Sequence, residues 1–263
     1  MRESSLNKVT ALSINPYLEV MLGQSENRLD FRAIMDEGKI LLLDLGHLDP
    51  ETDRLIGSLV MTGFELAMRR RQNRKFFSLM IDEFAGYVAN EGSAMTLAHV
   101  FSEGRKFGMG MTVAHQTLSQ LSPRMMGALG NIETKIIFSI ERYDAEYLAK
   151  VVGRVDTEAV KRDSKTDTQH EVFSPLPEQW EQVIDKLRFQ RPRRATVSGY
   201  DGQSLPITTM AIPTYKASRE DTQHIRQNTV KRWGIPYTQA KQNIDRRYLS
   251  VEKNTPAFEV LSG

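Results

Sequence analysis

A chain of 263 residues that is 40% hydrophobic is long enough for one large domain, or one domain with an appendage, around a real core. Its net charge of +2 does not mark the whole as a nucleic-acid binder, so local basic clusters must carry any such role. The absence of cysteine excludes disulfides, thiolate metal sites and cysteine nucleophiles; segment 1–15 is polar without a signal-peptide core, and no apolar run reaches the roughly 18 residues of a membrane helix.

Four short apolar runs punctuate the first 150 residues: Lys39 to Leu45, Phe76 to Ile81, Gly110 to His115 and Thr134 to Ile140. They are continuous rather than alternating, which predicts strands buried on both faces of a parallel sheet. Helical spacing lies between them. Ile56 to Arg70 predicts a helix with Leu59, Val60, Gly63, Phe64 and Ala67 on one face. Ala94 to Phe107 predicts another, ending near Gly108, and Asp144 to Val152 a third, stopped by Gly153. Strand alternating with helix predicts a doubly wound α/β core over residues 30–153 after a lead-in of 1–29.

The character changes after Gly153. Asp156 to Glu171 reads as a loop and Glu178 to Leu187 as a short helix. Ala195 to Tyr200 and Leu205 to Ile212 flank Asp201-Gly202, a hairpin turn signal, so residues 154–215 form an extension of loop, helix and β-hairpin. Helices are expected over Thr222 to Trp233 and Thr238 to Tyr248, within a C-terminal segment 216–263 that ends in a tail.

The second apolar run ends in Asp82-Glu83. Two carboxylates at a strand tip can hold a hydrated magnesium ion and polarise a water, and they also serve simply as acids at a helix start. The next run ends in Gln116, an amide able to hydrogen-bond a terminal phosphate, or a surface residue opening a loop. Arg105 and Lys106 close a helix next to glycines. Cations suit helix C-termini, and such an arginine can also reach a neighbouring subunit's nucleotide. Basic clusters recur at Arg69, Arg70, Arg71 and Arg74-Lys75, at Arg188 to Arg194, at Lys231-Arg232 and at Arg246-Arg247, each a candidate phosphate contact or a solvated helix end. His47 and His99 have no metal-ligand spacing. No G-x-S-x-G elbow and no G-x-x-x-x-G-K-[ST] phosphate loop occurs in the chain.

Taken in order, Ile34 to Leu45, the strand ending Asp82-Glu83-Phe84, Glu103 to Gly108, Ala114-His115-Gln116, Lys135 to Phe138 with Asp144-Ala145-Glu146, and Arg232 to Pro236 resemble the C-terminal half of HerA/FtsK-type motor ATPases. The nearest branch in pattern is the TraG/TraD-type coupling proteins and related ATPases of conjugation and type IV secretion. The similarity spans roughly residues 30–245. It implies a RecA-like P-loop NTPase core that lacks its P-loop strand, a hexameric ring with ATP and Mg2+ between subunits, and DNA or nucleoprotein as cargo. By position, Asp82 and Glu83 are the Walker B pair, with Asp82 on the metal. Gln116 is the sensor and Arg105 the finger, with Lys106 as the fallback, while Arg69, Arg70, Arg71 and Arg74 are nucleic-acid candidates.

The family's phosphate loop is expected upstream of Met1, and its strand between those carrying Gln116 and Thr134. The chain is therefore read as a truncated or split product that does not hydrolyse ATP unaided. The alternative is a non-catalytic adaptor that lends Arg105 to a complete partner. The expected location is cytoplasmic, at the inner face of a membrane only through partners.

Overall fold

The computed structural model describes residues 16–46, 48–88, 91–158, 175–199, 203–214 and 216–254. His47 and the Asp201-Gly202 turn lie outside them, as do most of the loop expected over Asp156 to Glu171 and the tail beyond Asn254. The chain divides into two compact units, one formed by residues 1–30 with 213–263 and the other by residues 31–212.

In the larger unit, α2 (Phe31–Asp36) leads through an irregular segment into α3 (Pro50–Arg69). Helix α3 begins earlier than the apolar spacing predicts because its start is polar. The Asp49 carboxylate accepts from the backbone N–H of Glu51 at 3.2 Å and of Thr52 at 3.0 Å, and Pro50 occupies the first turn. The helix buries Gly57, Met61, Phe64 and Met68, while Leu59 is exposed. The covered stripe is thus offset from the one predicted, because Gly63 turns toward the Phe31 ring rather than the main core. Phe31, Phe64 and Phe77 form an aromatic column, with centroid separations of 4.8 and 5.5 Å.

Strand β1 (Phe77–Ile81) pairs in parallel with β2 (Met109–Val113), from Phe77 opposite Met109 to Ile81 opposite Val113. The crossover runs through a 3₁₀ turn (Phe84–Val88), α4 (Glu91–Glu103) and a second 3₁₀ turn (Gly104–Phe107). Gly108 ends it at φ 69°, and an added Cβ there would lie 2.3 Å from the Arg74 carbonyl oxygen. Beyond β2 come a 3₁₀ turn (Leu118–Gln120) and α5 (Pro123–Gly130). The main core is one-sided. Met61, Phe84, Val88, Leu97, Leu118 and Met125 are buried against Leu79, Ile81, Met111 and Val113.

Two expectations fail here. The run Lys39 to Leu45 is not a strand, with Ile40 88% and Leu42 85% exposed. An apolar run becomes a strand only where a neighbour satisfies its backbone groups, and no strand among the described residues forms a ladder with it. Nor is β1 buried on both faces. Leu79 and Ile81 face the core while Met80 is 75% exposed on the other side.

The fourth predicted strand also changes partner. Strand β3 (Lys135–Ile137) lies in a separate sheet, antiparallel to β4 (Arg194–Ser198), which pairs antiparallel with β5 (Ser204–Thr208). The parallel sheet of the described residues is thus two-stranded. Helices α6 (Arg142–Val152) and α7 (Leu176–Arg188) bury Ala145, Ala149, Val152, Ile184 and Leu187 with Ile137 of β3, so one apolar cluster draws on residues from both sides of Gly153.

In the smaller unit, α1 (Pro16–Leu22) packs on α9 (Tyr237–Asn254) through Val20, Ala240 and Ile244. Helix α8 (Arg219–Trp233), capped by Ser218, buries none of its residues.

Arg71 explains how α3 is joined to the sheet. Its side chain has no exposed surface, and its guanidinium donates to Asp36 Oδ1 at 2.7 Å, the Phe107 carbonyl at 3.1 Å and the Lys75 carbonyl at 2.5 Å. Three segments meet on one planar cation. Arg71→Ala should lower unfolding stability by about 3 kcal/mol, because a carboxylate and two carbonyls lose their donor together. Arg70→Ala, on the exposed helix end, should change it by no more than about 0.5 kcal/mol in the same denaturant titration.

Candidate functional site

The parallel register carries the two strand ends to one rim. Ala114 N–H donates to the Ile81 carbonyl at 2.9 Å, and Phe84 N–H returns to the Ala114 carbonyl at 3.1 Å, extending the pairing beyond the strands. Asp82-Glu83 and His115-Gln116 therefore emerge side by side. Gln116 Nε2 donates to Glu83 Oε1 at 2.9 Å, and both side chains face solvent.

Glu83 holds φ at 48°, the left-handed region that residues with a Cβ rarely adopt. The conformation is fixed from both sides. Asp82 Oδ1 accepts the Glu83 N–H at 3.0 Å, Gly86 N–H donates to the Glu83 carbonyl at 3.1 Å, and the next residue, Phe84, is fully buried. Such a posture costs on the order of 1 kcal/mol and persists only where the surroundings over-determine it.

Three further residues support the rim and have no motif of their own. Tyr87 donates its hydroxyl to Asp53 Oδ1 at 3.1 Å, and its ring lies over Gly57, where a Cβ would come within 2.3 Å. Burial first, then the Asp53 hydrogen bond and the charges of Asp53, Glu83 and Asp82, push its phenol up to about 12. Asp144, buried in the first turn of α6, accepts the Leu118 N–H at 3.1 Å and ties down the loop after Gln116. His115 packs edge-on against Phe84 at 5.2 Å, and its Nδ1 is buried without a hydrogen-bond partner among the described residues. The signal for Tyr87 was only its place four residues beyond Glu83; nothing in sequence links it to Asp53.

Arg105 is not part of this cluster. It precedes β2 whereas Gln116 follows it, which places the two at opposite ends of a strand roughly 17 Å long. Its side chain is 92% exposed and makes a 3.8 Å ion pair with Glu133; Lys106 is exposed beside it. The four arginines proposed for nucleic acid also differ from one another. Arg71 is the buried staple and has no surface to offer. Arg69 is paired with Glu65 at 2.6 Å and Glu103 at 3.3 Å. Arg70 and Arg74 are exposed, Arg74 with its guanidinium 5.6 Å from the centre of the Phe107 ring. No group of three or more His, Asp or Glu side chains able to hold a metal occurs among the described residues.

With that geometry in view, residues 77–187 match the family model described as the TraM recognition site of TraD and TraG. The resemblance to TraG/TraD-type coupling proteins therefore holds over this segment. Among solved structures the chain is similar to VirB4 of Thermoanaerobacter pseudethanolicus, with 16% identity and a TM-score of 0.46 over 65% of this chain. The chain spans 40% of the length of that structure. No curated protein matches the sequence. No helix among the described residues is long and apolar enough to cross a membrane.

Two outcomes are expected at the rim. Glu83→Gly and Glu83→Ala both lose the carboxylate, but only glycine relieves the φ of 48°; the glycine variant should be the more stable by about 1 kcal/mol in urea unfolding. Equal stabilities would show that the turn relaxes. Burial depresses the His115 pKa below its ordinary value of 6.5, against the opposing Thr117 backbone contact and Asp144 charge. The unfolded chain then takes up the proton first as pH falls. The stability His115 contributes is present above pH 6.5 and lost as pH falls through its lower folded pKa. His115→Phe should flatten that acid limb of a melting-temperature profile.

Proposed function

We propose that this chain is the C-terminal portion of an ATP-driven motor of conjugation or type IV secretion, with a RecA-like core and DNA or nucleoprotein as cargo. The observation carrying this reading is the Glu83–Gln116 hydrogen bond at the shared end of a parallel strand pair, inside the segment that matches the TraG/TraD family.

The acids fit a magnesium ion of the sparsely ligated kind, which takes one or two carboxylates and leaves its other positions to water and phosphate oxygens. Asp82 is exposed at the strand tip as such a ligand, and the ion would neutralise charge on the phosphates. Glu83 would accept the proton of an attacking water. Gln116, already donating to Glu83, has its amide oxygen and second N–H left to orient that water or meet a terminal phosphate. The chain has no G-x-x-x-x-G-K-[ST] loop to cradle the phosphates, so we assign it one half of a site completed by a loop-bearing segment. Arg105, or Lys106 beside it, stands away from its own Glu83 and would serve a neighbour's site in a ring. Arg70 and Arg74, exposed near the same end of the strands, are the candidates for nucleic-acid contact. The matched family's description further suggests a TraM-type partner for the surface formed by residues 77–187.

A second reading is favoured by the missing phosphate loop and by the exposure of Arg105: an adaptor that contributes its arginine and no chemistry of its own. Mixing the chain with a polypeptide bearing the loop and measuring phosphate release separates the two. On the motor reading turnover appears only in the mixture, falls by about 10²-fold or more with Glu83→Gln, and by about 10³-fold with Arg105→Ala. On the adaptor reading Arg105→Ala abolishes turnover and Glu83→Gln in this chain has no effect. Hydrolysis by the chain alone that disappears with Glu83→Gln would overturn the half-site proposal.

A further inference from the structure

The smaller unit contains an open groove of about 380 Å³ between residues 24–28, the turn at residues 234–236 and the face of α9. Its walls bring Arg28 together with the adjacent pair Arg246 and Arg247, more than 200 residues further along the chain, against a single carboxylate, Glu26. The groove rests on the Val20, Ala240 and Ile244 cluster. Gln24 Nε2 stitches the loop to the helices by donating to the Val20 carbonyl at 2.7 Å and the Ala240 carbonyl at 3.2 Å.

The three guanidiniums are held to different degrees. Arg247 is pinned, its Nε donating to the Asn243 carbonyl at 3.2 Å and its Nη2 to the Gly23 carbonyl. Arg28 reaches only a long 3.5 Å contact with the Gly234 carbonyl. Arg246 has neither an ion pair nor a hydrogen-bond partner among the described residues, and Arg28 has no ion pair there. Two uncompensated cations beside a pinned one focus positive potential into the concavity. A carboxylate has two oxygens and is satisfied by one guanidinium fork, whereas the forks of Arg28 and Arg246 beside the Arg247 charge match a group presenting three or more acceptor oxygens. Gln239 and Asn243 on α9 add adaptable polar groups. The volume is that of a small-molecule site and exceeds a lone phosphate ion.

We propose that this groove binds a phosphate group carried on a larger molecule, with Arg28, Arg246 and Arg247 as its ligands. The phosphate can belong to a small phosphorylated compound or to a nucleic-acid strand. The groove lies in the smaller unit and uses none of the residues assigned to hydrolysis, so it stands apart from the motor proposal.

Calorimetric titration of the full chain with inorganic pyrophosphate and with a short single-stranded oligonucleotide tests it, with polyglutamate as the control anion. At least one phosphate probe should saturate, binding roughly tenfold or more weakly to Arg246→Ala and to Arg28→Ala, and equally to Glu83→Gln and wild type. Arg246→Glu, on an exposed side chain, should abolish binding while leaving the melting temperature unchanged. Preference for the oligonucleotide identifies a nucleic-acid phosphate as the source; preference for pyrophosphate identifies a small ligand. No saturable binding of either, binding indifferent to both arginines, or equally tight binding of polyglutamate would overturn the proposal.

Discussion

The parallel register of β1 and β2 is the constraint on which the candidate site depends. Two strands of five residues in parallel finish at the same end, and the backbone bonds Ala114 to Ile81 and Phe84 to Ala114 carry that alignment past the last paired residues. Asp82, Glu83 and Gln116 hold their places because of these bonds. A hairpin joining the same two strands would have set their C-terminal ends at opposite rims. The crossover through α4 therefore sets the geometry of the candidate site as well as covering the sheet.

Local strain and local packing support each other at this rim. Glu83 sits at a positive φ because Phe84 immediately after it is fully buried and Asp82 immediately before it turns back to accept its N–H. Behind them Tyr87 links the 3₁₀ turn to the first turn of α3, and Asp144 links the loop after Gln116 to α6. The carboxylate and amide at the surface thus stand on contacts from four helical segments. Such support lets two solvent-facing side chains keep one mutual geometry, since each is anchored through a backbone whose neighbours are buried.

The opposite end of the same strands has a different character. Arg71 draws α2, α3 and the approach to β2 together, while Arg70, Arg74, Arg105 and Lys106 remain outward. Acids crown one rim and cations the other. A cluster of arginines adjacent in sequence thus divides into a buried staple, an ion-paired residue and two exposed ones. The end of the helix decides this division: Arg69 is its last residue, and Arg71 falls just past it, where its side chain reaches the Phe107 carbonyl and Asp36.

Much was legible in the residues alone. The helical crossover that closes at Gly108 through a 3₁₀ turn and the helix that stops at Gly153 were marked by those glycines, and the Asp82-Glu83 and Gln116 strand tips by apolar runs that break into polar residues. These are local properties, set by chain stereochemistry and hydropathy within a few positions. The tertiary structure alone decided which apolar runs found partners. Lys39 to Leu45 and Lys135 to Ile137 read alike, yet one forms no strand among the described residues and the other joins β4 in an antiparallel sheet, because strand pairing is a contact between distant segments that neither encodes by itself. For the same reason only the folded chain could show Tyr87 against Asp53, Arg71 bonded to the Phe107 carbonyl, and Arg28 lining one groove with Arg246. A residue type and its spacing fix what a side chain can do, and its environment, assembled over long sequence separations, fixes what is left for it to do.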